Sequence, residues 1–78
     1  MSTYSNALDA YLSSPDHREA DLAEAVGTTQ ASVNRWRNGK RFPDAKTARD
    51  IDEATKGQVA FAVWQADFLD RSGLGEAA

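Results

Sequence analysis

The chain has 78 residues, no cysteine and a formal net charge of −3 at pH 7. This length predicts one domain with a small core, and the absence of cysteine excludes disulfides and thiolate metal sites as supports for that core. No run reaches the roughly 18–20 apolar residues that a membrane span needs, and no signal-peptide pattern is present, so we expect a soluble, cytoplasmic protein with no membrane partner.

The first predicted helix lies close to the N-terminus. Its apolar residues recur at helical spacing and form one stripe, which consists of Tyr4, Ala7, Leu8, Tyr11 and Leu12. The cluster Ser13-Ser14-Pro15 predicts the end of this helix.

A second helix is predicted to run to about Val26. Asp16 and Glu19 are three residues apart, which is the spacing of a capping box, and Gly27 follows where a chain leaving a helix often needs a positive φ. Leu22, Ala23 and Val26 are the expected buried residues.

The third predicted helix runs from Gln30 to about Asn38. Thr28 or Thr29 can cap its start, and Gly39 predicts its end. Val33 and Trp36 should point into the core, which leaves a strongly polar outer face.

Two further elements follow the loop 40–43. Asp44 can cap a fourth helix from Ala45 to about Thr55, in which Ala48, Ile51 and Thr55 share one face. In residues 59–71, Phe61, Trp64 and Phe68 recur at helical spacing, although Val59, Phe61 and Val63 also alternate as in an edge strand. The alanines of this stretch favour the helix. Residues 72–78 are expected to form a flexible tail.

The most informative spacing combines Ala23, Gly27, Val33 and Trp36. In a helix-turn-helix, the steep crossing of two helices requires a small residue, the turn requires a glycine, and the second helix sends apolar residues to a shared core. We therefore predict a compact all-α fold of four to five helices. Residues 1–71 form a single helix-turn-helix domain, with the motif at 18–38 and the recognition helix at about 29–38.

Residues 21–27 (DLAEAVG) and 29–41 (TQASVNRWRNGKR) resemble the Cro and repressor proteins of temperate, lambdoid phages and the wider Xre-type regulators. Residues 43–48 and 51–57 are similar to the fourth helix of small Cro-like and YdaS-type phage proteins, so the resemblance covers residues 18 to about 59. It implies a lambda-repressor-like fold. It also implies a transcriptional regulator, in particular a repressor that binds a palindromic double-stranded DNA operator as a homodimer.

Site residues follow from the outward face of the third helix and from this resemblance. Gln30 looks like the base-reading glutamine of the family, and glutamine and arginine pair with adenine and guanine in the major groove. Gln30 also has a simpler interpretation as a favourable first-turn helix residue. The base-reading candidates are Gln30, Ala31, Ser32, Asn34 and Arg35. The candidates for DNA-backbone contacts are Arg18, Thr29, Arg37, Asn38, Lys40, Arg41 and Lys46.

Charge is distributed unevenly along the chain. Residues 35–49 contain six basic residues and one acid, a net charge of +5, whereas the remainder carries −8. Such segregation lets one face meet phosphate while the acidic remainder limits non-specific association. The simpler interpretation of the basic run is a solvated surface.

A homodimer is predicted to form through residues 58–70. Phe61, Trp64 and Phe68 add more apolar surface than so small a domain can easily cover. In the alternative arrangement, Trp64 and Phe68 fold back onto their own subunit. An antitoxin-like module that sequesters a protein partner and autoregulates its own promoter is the alternative function. No enzyme activity, metal, cofactor or small-molecule ligand is expected, because no catalytic motif or convergent set of titratable residues occurs.

Overall fold

The computed structural model describes residues 3–72, with side chains as far as residue 69. This range contains five helices, α1 Thr3–Leu12, α2 Glu19–Val26, α3 Gln30–Arg37, α4 Ala45–Ala54 and α5 Phe61–Ser72. No strand occurs within it, which confirms the all-α prediction and the helical interpretation of the C-terminal segment. Apart from Ser72, the last residue of α5, the predicted tail lies outside the described residues.

The N-terminal ends of α2 and α4 test the predicted N-caps. The carboxylate of Asp44 accepts a hydrogen bond from the Thr47 backbone N–H at 2.8 Å, as predicted for the start of α4. The predicted capping box at Asp16 is wrong, because the N-cap of α2 is Arg18, which has an extended backbone and no side-chain cap bond. The backbone N–H of Asp16 instead donates to the Ser14 hydroxyl at 3.3 Å, within the turn after α1.

One hydrophobic core joins the helices. Its buried apolar residues are Tyr4, Leu8, Leu12, Leu22, Ala23, Val33, Trp36, Ala48, Ile51, Val59 and Trp64. The apolar stripe predicted for α1 and the inward positions predicted for α2, α3 and α4 contribute to this core, with Tyr11 and Val26 packed at its edge. None of the described helices has the length and apolar character required to cross a membrane.

The end of α3 is fastened to α1 by a buried side chain. The Ser5 hydroxyl donates to the Trp36 carbonyl oxygen at 3.0 Å. A Cβ atom at Gly39 would lie 3.3 Å from the Ser5 oxygen, and Gly39 has φ +74°, so both space and backbone conformation favour glycine there. Gly39 therefore ends α3 as predicted, and its close approach to α1 is a second reason for its lack of a side chain.

Helix α5 packs against α1 and α4 of its own chain. The Trp64 indole N–H donates to the Pro43 carbonyl oxygen at 2.9 Å, and the ring lies between those of Phe61 and Phe68. Trp64 is only 5% exposed. Its predicted place in a subunit interface is therefore corrected, because the side chain is buried in the core of its own chain. Phe68 remains 42% exposed and Leu69 45%.

Candidate nucleic-acid interface

The turn between α2 and α3 has the conformation that its glycine predicts. Gly27 ends α2 in the left-handed region at φ +72°, and its N–H points to the carbonyl oxygens of Ala23 and Glu24. The next N–H, that of Thr28, donates to the Ala23 carbonyl at 2.8 Å. These bonds satisfy the last carbonyls of α2 and direct the chain into α3, which packs against α2.

Thr29 caps α3 and is bonded to another candidate residue. Its hydroxyl oxygen accepts from the Ser32 backbone N–H at 3.2 Å, and the hydroxyl donates to the Ser32 side-chain oxygen at 3.1 Å. The cap predicted for Thr28 or Thr29 is therefore confirmed at Thr29. Its further role at phosphate, like base reading by Ser32, stays a prediction.

The outward face of α3 lines a shallow groove. Val33 and Trp36 point into the core, and four of the five base-reading candidates line the groove together with Glu19 and Lys40; these four are Gln30, Ala31, Asn34 and Arg35. Ser32 is not part of its lining. The side chains of Gln30 and Arg35 have no hydrogen-bond or ion-pair partner among the described residues, so their donors point to solvent at one surface.

Arg37 has two acidic partners within the chain. Its Nε donates to the Asp9 carboxylate at 2.7 Å, and its Nη1 lies 3.4 Å from Oε2 of Glu19. The hydrogen bond to Asp9 raises the pKa of Arg37 above its ordinary value, with Glu19 adding to the effect. The guanidinium thus bridges α1 and α2 from the end of α3. Its predicted contact with DNA backbone would compete with these two carboxylates.

Asn34 is held by neighbours on both sides of its amide. Its Nδ2 donates to Oε2 of Glu19 at 3.1 Å, and its Oδ1 accepts from Nδ2 of Asn38 at 3.0 Å. An asparagine amide has two N–H donors and two acceptor lone pairs, so one of each remains available. The two predicted contact residues Asn34 and Asn38 therefore form a small network, and Glu19 is its anionic end.

The remaining basic candidates differ in their surroundings. Lys40 and Arg41 are exposed in the loop after α3, where the backbone N–H of Lys40 donates to the Arg35 carbonyl at 2.9 Å. Arg18 is also exposed, at the start of α2. Lys46 forms an ion pair with Asp50 at 3.0 Å, one turn along α4. The structure therefore brings Lys40 together with the outward face of α3 and gives Lys46 a local acidic partner.

Two acidic residues, Asp9 and Glu19, were missed by the sequence reasoning. Both hold residues of α3, yet they precede Arg37 by 28 and 18 positions. In the sequence, Glu19 fits only the spacing of a capping box with Asp16, and Asp9 has no motif around it. The one available signal was the position of Glu19 at the start of α2, where a carboxylate complements the positive end of the helix dipole.

No group of three histidine, aspartate or glutamate side chains in the described part of the chain is arranged to hold a metal ion. His17, the single histidine of the sequence, stacks on Tyr11 with ring centroids 4.0 Å apart. The surface around α3 is thus defined by amide, guanidinium and ammonium groups, together with the carboxylate of Glu19.

Comparison with known proteins agrees with the helix-turn-helix geometry. Residues 19–65 match the family described as bacterial toxin YdaS, a family of small helix-turn-helix-like proteins of Xre type. No curated protein and no solved structure matches the chain. The matched range runs from the first residue of α2 into α5 and includes the whole groove described above. On this match, the chain belongs to the YdaS family.

Proposed function

We propose that this protein binds double-stranded DNA in a sequence-specific manner and regulates transcription as a Cro-like phage or prophage repressor. The observation that carries the proposal is the exposed face of α3, on which Gln30 and Arg35 lie beside Lys40. The side chains of Gln30 and Arg35 have no partner within the part of the chain that the structure describes. An α-helix fits the major groove of B-DNA, and its first turns reach the base edges.

The chemistry of this face supports base reading. The amide of Gln30 is suited to the N6 and N7 edge of adenine, and the guanidinium of Arg35 to O6 and N7 of guanine. Lys40 and Arg41 follow on the loop after α3, where contacts to phosphate would fix the position of the helix in the groove. The net charge of +5 in residues 35–49 also favours an arrangement in which this part of the chain faces the DNA phosphates.

In this proposal, repression depends on where the protein binds the DNA and not on a reaction that it catalyses. A bound protein that overlaps a promoter excludes polymerase, and this needs neither a cofactor nor a small-molecule ligand. We therefore propose that the protein is a DNA-binding protein and not an enzyme. We propose that it acts in the bacterial cytoplasm. The carboxylates of Asp9 and Glu19 beside α3 support this interpretation, because both are used in structural ion pairs or hydrogen bonds.

Footprinting on DNA immediately upstream of its own gene tests the proposal. We expect a protected site in which two half-sites are about 34 Å apart, one turn of B-DNA, and an affinity at least about a thousandfold above that for random duplex. Scrambled DNA of the same length and composition is the control. Equal affinity for upstream and scrambled DNA would contradict sequence-specific regulation.

A homodimer would supply the second recognition helix. With Trp64 used internally, the apolar surface proposed for pairing consists of Phe68 and Leu69, neighbours on α5 that are both more than 40% exposed. Two half-sites bound together add their affinities, so dimerisation raises specificity without new base contacts.

The double substitution Phe68→Ser and Leu69→Ser tests this surface. We expect sedimentation to show a dimer for the parent chain and a monomer for the variant, with unchanged helical content and weaker operator binding. The matched control is Gln65→Ser, an exposed position on the same helix. A parent chain that is monomeric while it binds its operator fully would contradict the proposal.

The description of the family as a toxin favours a second candidate function. In this version, the chain belongs to a toxin–antitoxin pair, and the exposed Phe68 and Leu69 bind a protein partner while α3 serves autoregulation. Co-purification of the product of a neighbouring gene, lost in the variant at positions 68 and 69 but retained after changes in α3, would favour this candidate over the homodimer.

A further inference from the structure

Among the residues that the structure describes, Glu19 is the one carboxylate that lines the groove along α3. Its side chain is only 15% exposed, although it is charged, and Oε2 accepts from both Asn34 and Arg37. A carboxylate at this place is unexpected in a surface that meets phosphate, because like charges in an interface are unfavourable. Its contacts indicate what it does there.

The two residues that Glu19 holds belong to different classes of DNA contact. Arg37 carries a charge that any phosphate would attract, and phosphate contacts supply essentially all of the affinity for DNA of unrelated sequence. Glu19 and Asp9 together hold this guanidinium in ion pairs within the protein. The consequence is one fewer cation available to non-cognate DNA.

Asn34 is affected in the opposite sense. With Glu19 accepting from its Nδ2 and Asn38 donating to its Oδ1, the amide has one defined orientation, and one N–H and one oxygen lone pair remain for a base. Orienting a reading group before binding reduces the entropy lost on binding. Glu19 therefore favours a contact that depends on sequence while it suppresses one that does not.

We propose that Glu19 is a specificity-determining residue, which lowers affinity for non-cognate DNA by restraining Arg37 and preserves base reading by orienting Asn34. The inference rests on the proposed DNA binding. It differs from base reading itself because it assigns the discrimination to a carboxylate of α2 rather than to a side chain of the recognition helix.

Glu19→Gln tests the proposal, since the amide keeps the size of the side chain and an acceptor oxygen but removes the charge. We expect the variant to bind random duplex about three- to tenfold more tightly, with a salt dependence steeper by up to about one unit. The reason is that Asp9 is then the one remaining acidic partner of Arg37 among the described residues, and Arg37 can exchange it for a phosphate. On the selected operator the gain should be smaller, so the ratio of the two affinities falls. Fluorescence anisotropy across a salt series measures all three quantities.

Two further variants complete the design. Glu24→Gln removes an exposed acid of α2, the helix that also carries Glu19. Because Glu24 does not line the groove, this variant should leave the affinity ratio unchanged. Asp9→Asn frees Arg37 from its other acid and should also raise affinity for random duplex, so a folding defect in one variant does not decide the result. If Glu19→Gln changes the ratio no more than Glu24→Gln does, the inference is overturned while the proposed function stands. A parent chain that binds operator and random duplex equally overturns both.

Discussion

Replacing Trp64 by alanine should lower the free energy of unfolding by about 3–5 kcal/mol, the usual loss for a buried tryptophan. The ring closes the core between α5 and the rest of the chain, and its N–H satisfies the Pro43 carbonyl. Because the total stability of folded proteins is about 5–15 kcal/mol and a domain this small lies at the lower end of that range, the variant should be partly unfolded at 37 °C. Urea denaturation followed by circular dichroism measures the change.

Two substitutions on the same helix separate the causes. Gln65→Ala is the matched control, because this neighbouring side chain is exposed, and it should change stability by less than about 0.5 kcal/mol. Trp64→Phe retains most of the apolar packing but leaves the buried carbonyl of Pro43 without its donor, at a cost of about 1–3 kcal/mol. A loss for Trp64→Ala as small as that for Gln65→Ala would show that α5 does not pack as described.

Replacing Arg35 by alanine should weaken binding to the preferred operator by about 1–3 kcal/mol and flatten discrimination at one base pair. The reason is that its guanidinium is exposed in the groove along α3 and has no acid partner among the described residues. Competition binding against operators substituted at each position measures both effects.

Lys40→Ala is the matched control for Arg35→Ala, since both side chains line the same groove and both lose one positive charge. If Lys40 contacts phosphate, its loss should weaken binding to all sequences alike and lower the salt slope by about one unit. Equal losses on operator and random duplex for Arg35→Ala would remove Arg35 from the reading residues and make it a second phosphate contact.

The order and type of the helices could be predicted from the sequence because their signals are local. Thr29 and Asp44 cap the helices that follow them, and Gly27 and Gly39 have the positive φ expected at helix ends. Each of these features depends on a few consecutive residues. The Lys46 and Asp50 pair has a local signal of the same kind, because residues four apart on a helix are neighbours.

The contacts that α3 makes with other helices could not be predicted in the same way. Asp9 and Glu19 reach Arg37 only because α1 and α2 are packed beside α3, and no sequence spacing encodes that approach. The position of Trp64 had the same difficulty, since helical periodicity places an aromatic on a face but does not say whether its own chain or another covers that face. In both cases the missing information was tertiary packing.

The bond between the two terminal helices affects how the protein is made. The backbone N–H of Tyr4, in α1, donates to Oδ2 of Asp67, in α5, at 2.6 Å. Domains generally fold as units during synthesis, so the core shared by α1 and α5 is complete only after α5 has left the ribosome, whereas α3 is translated earlier. We therefore expect a nascent chain that ends after α4 to be protease-sensitive and unable to hold α3 in place, which delays any activity of α3 until translation has passed α5.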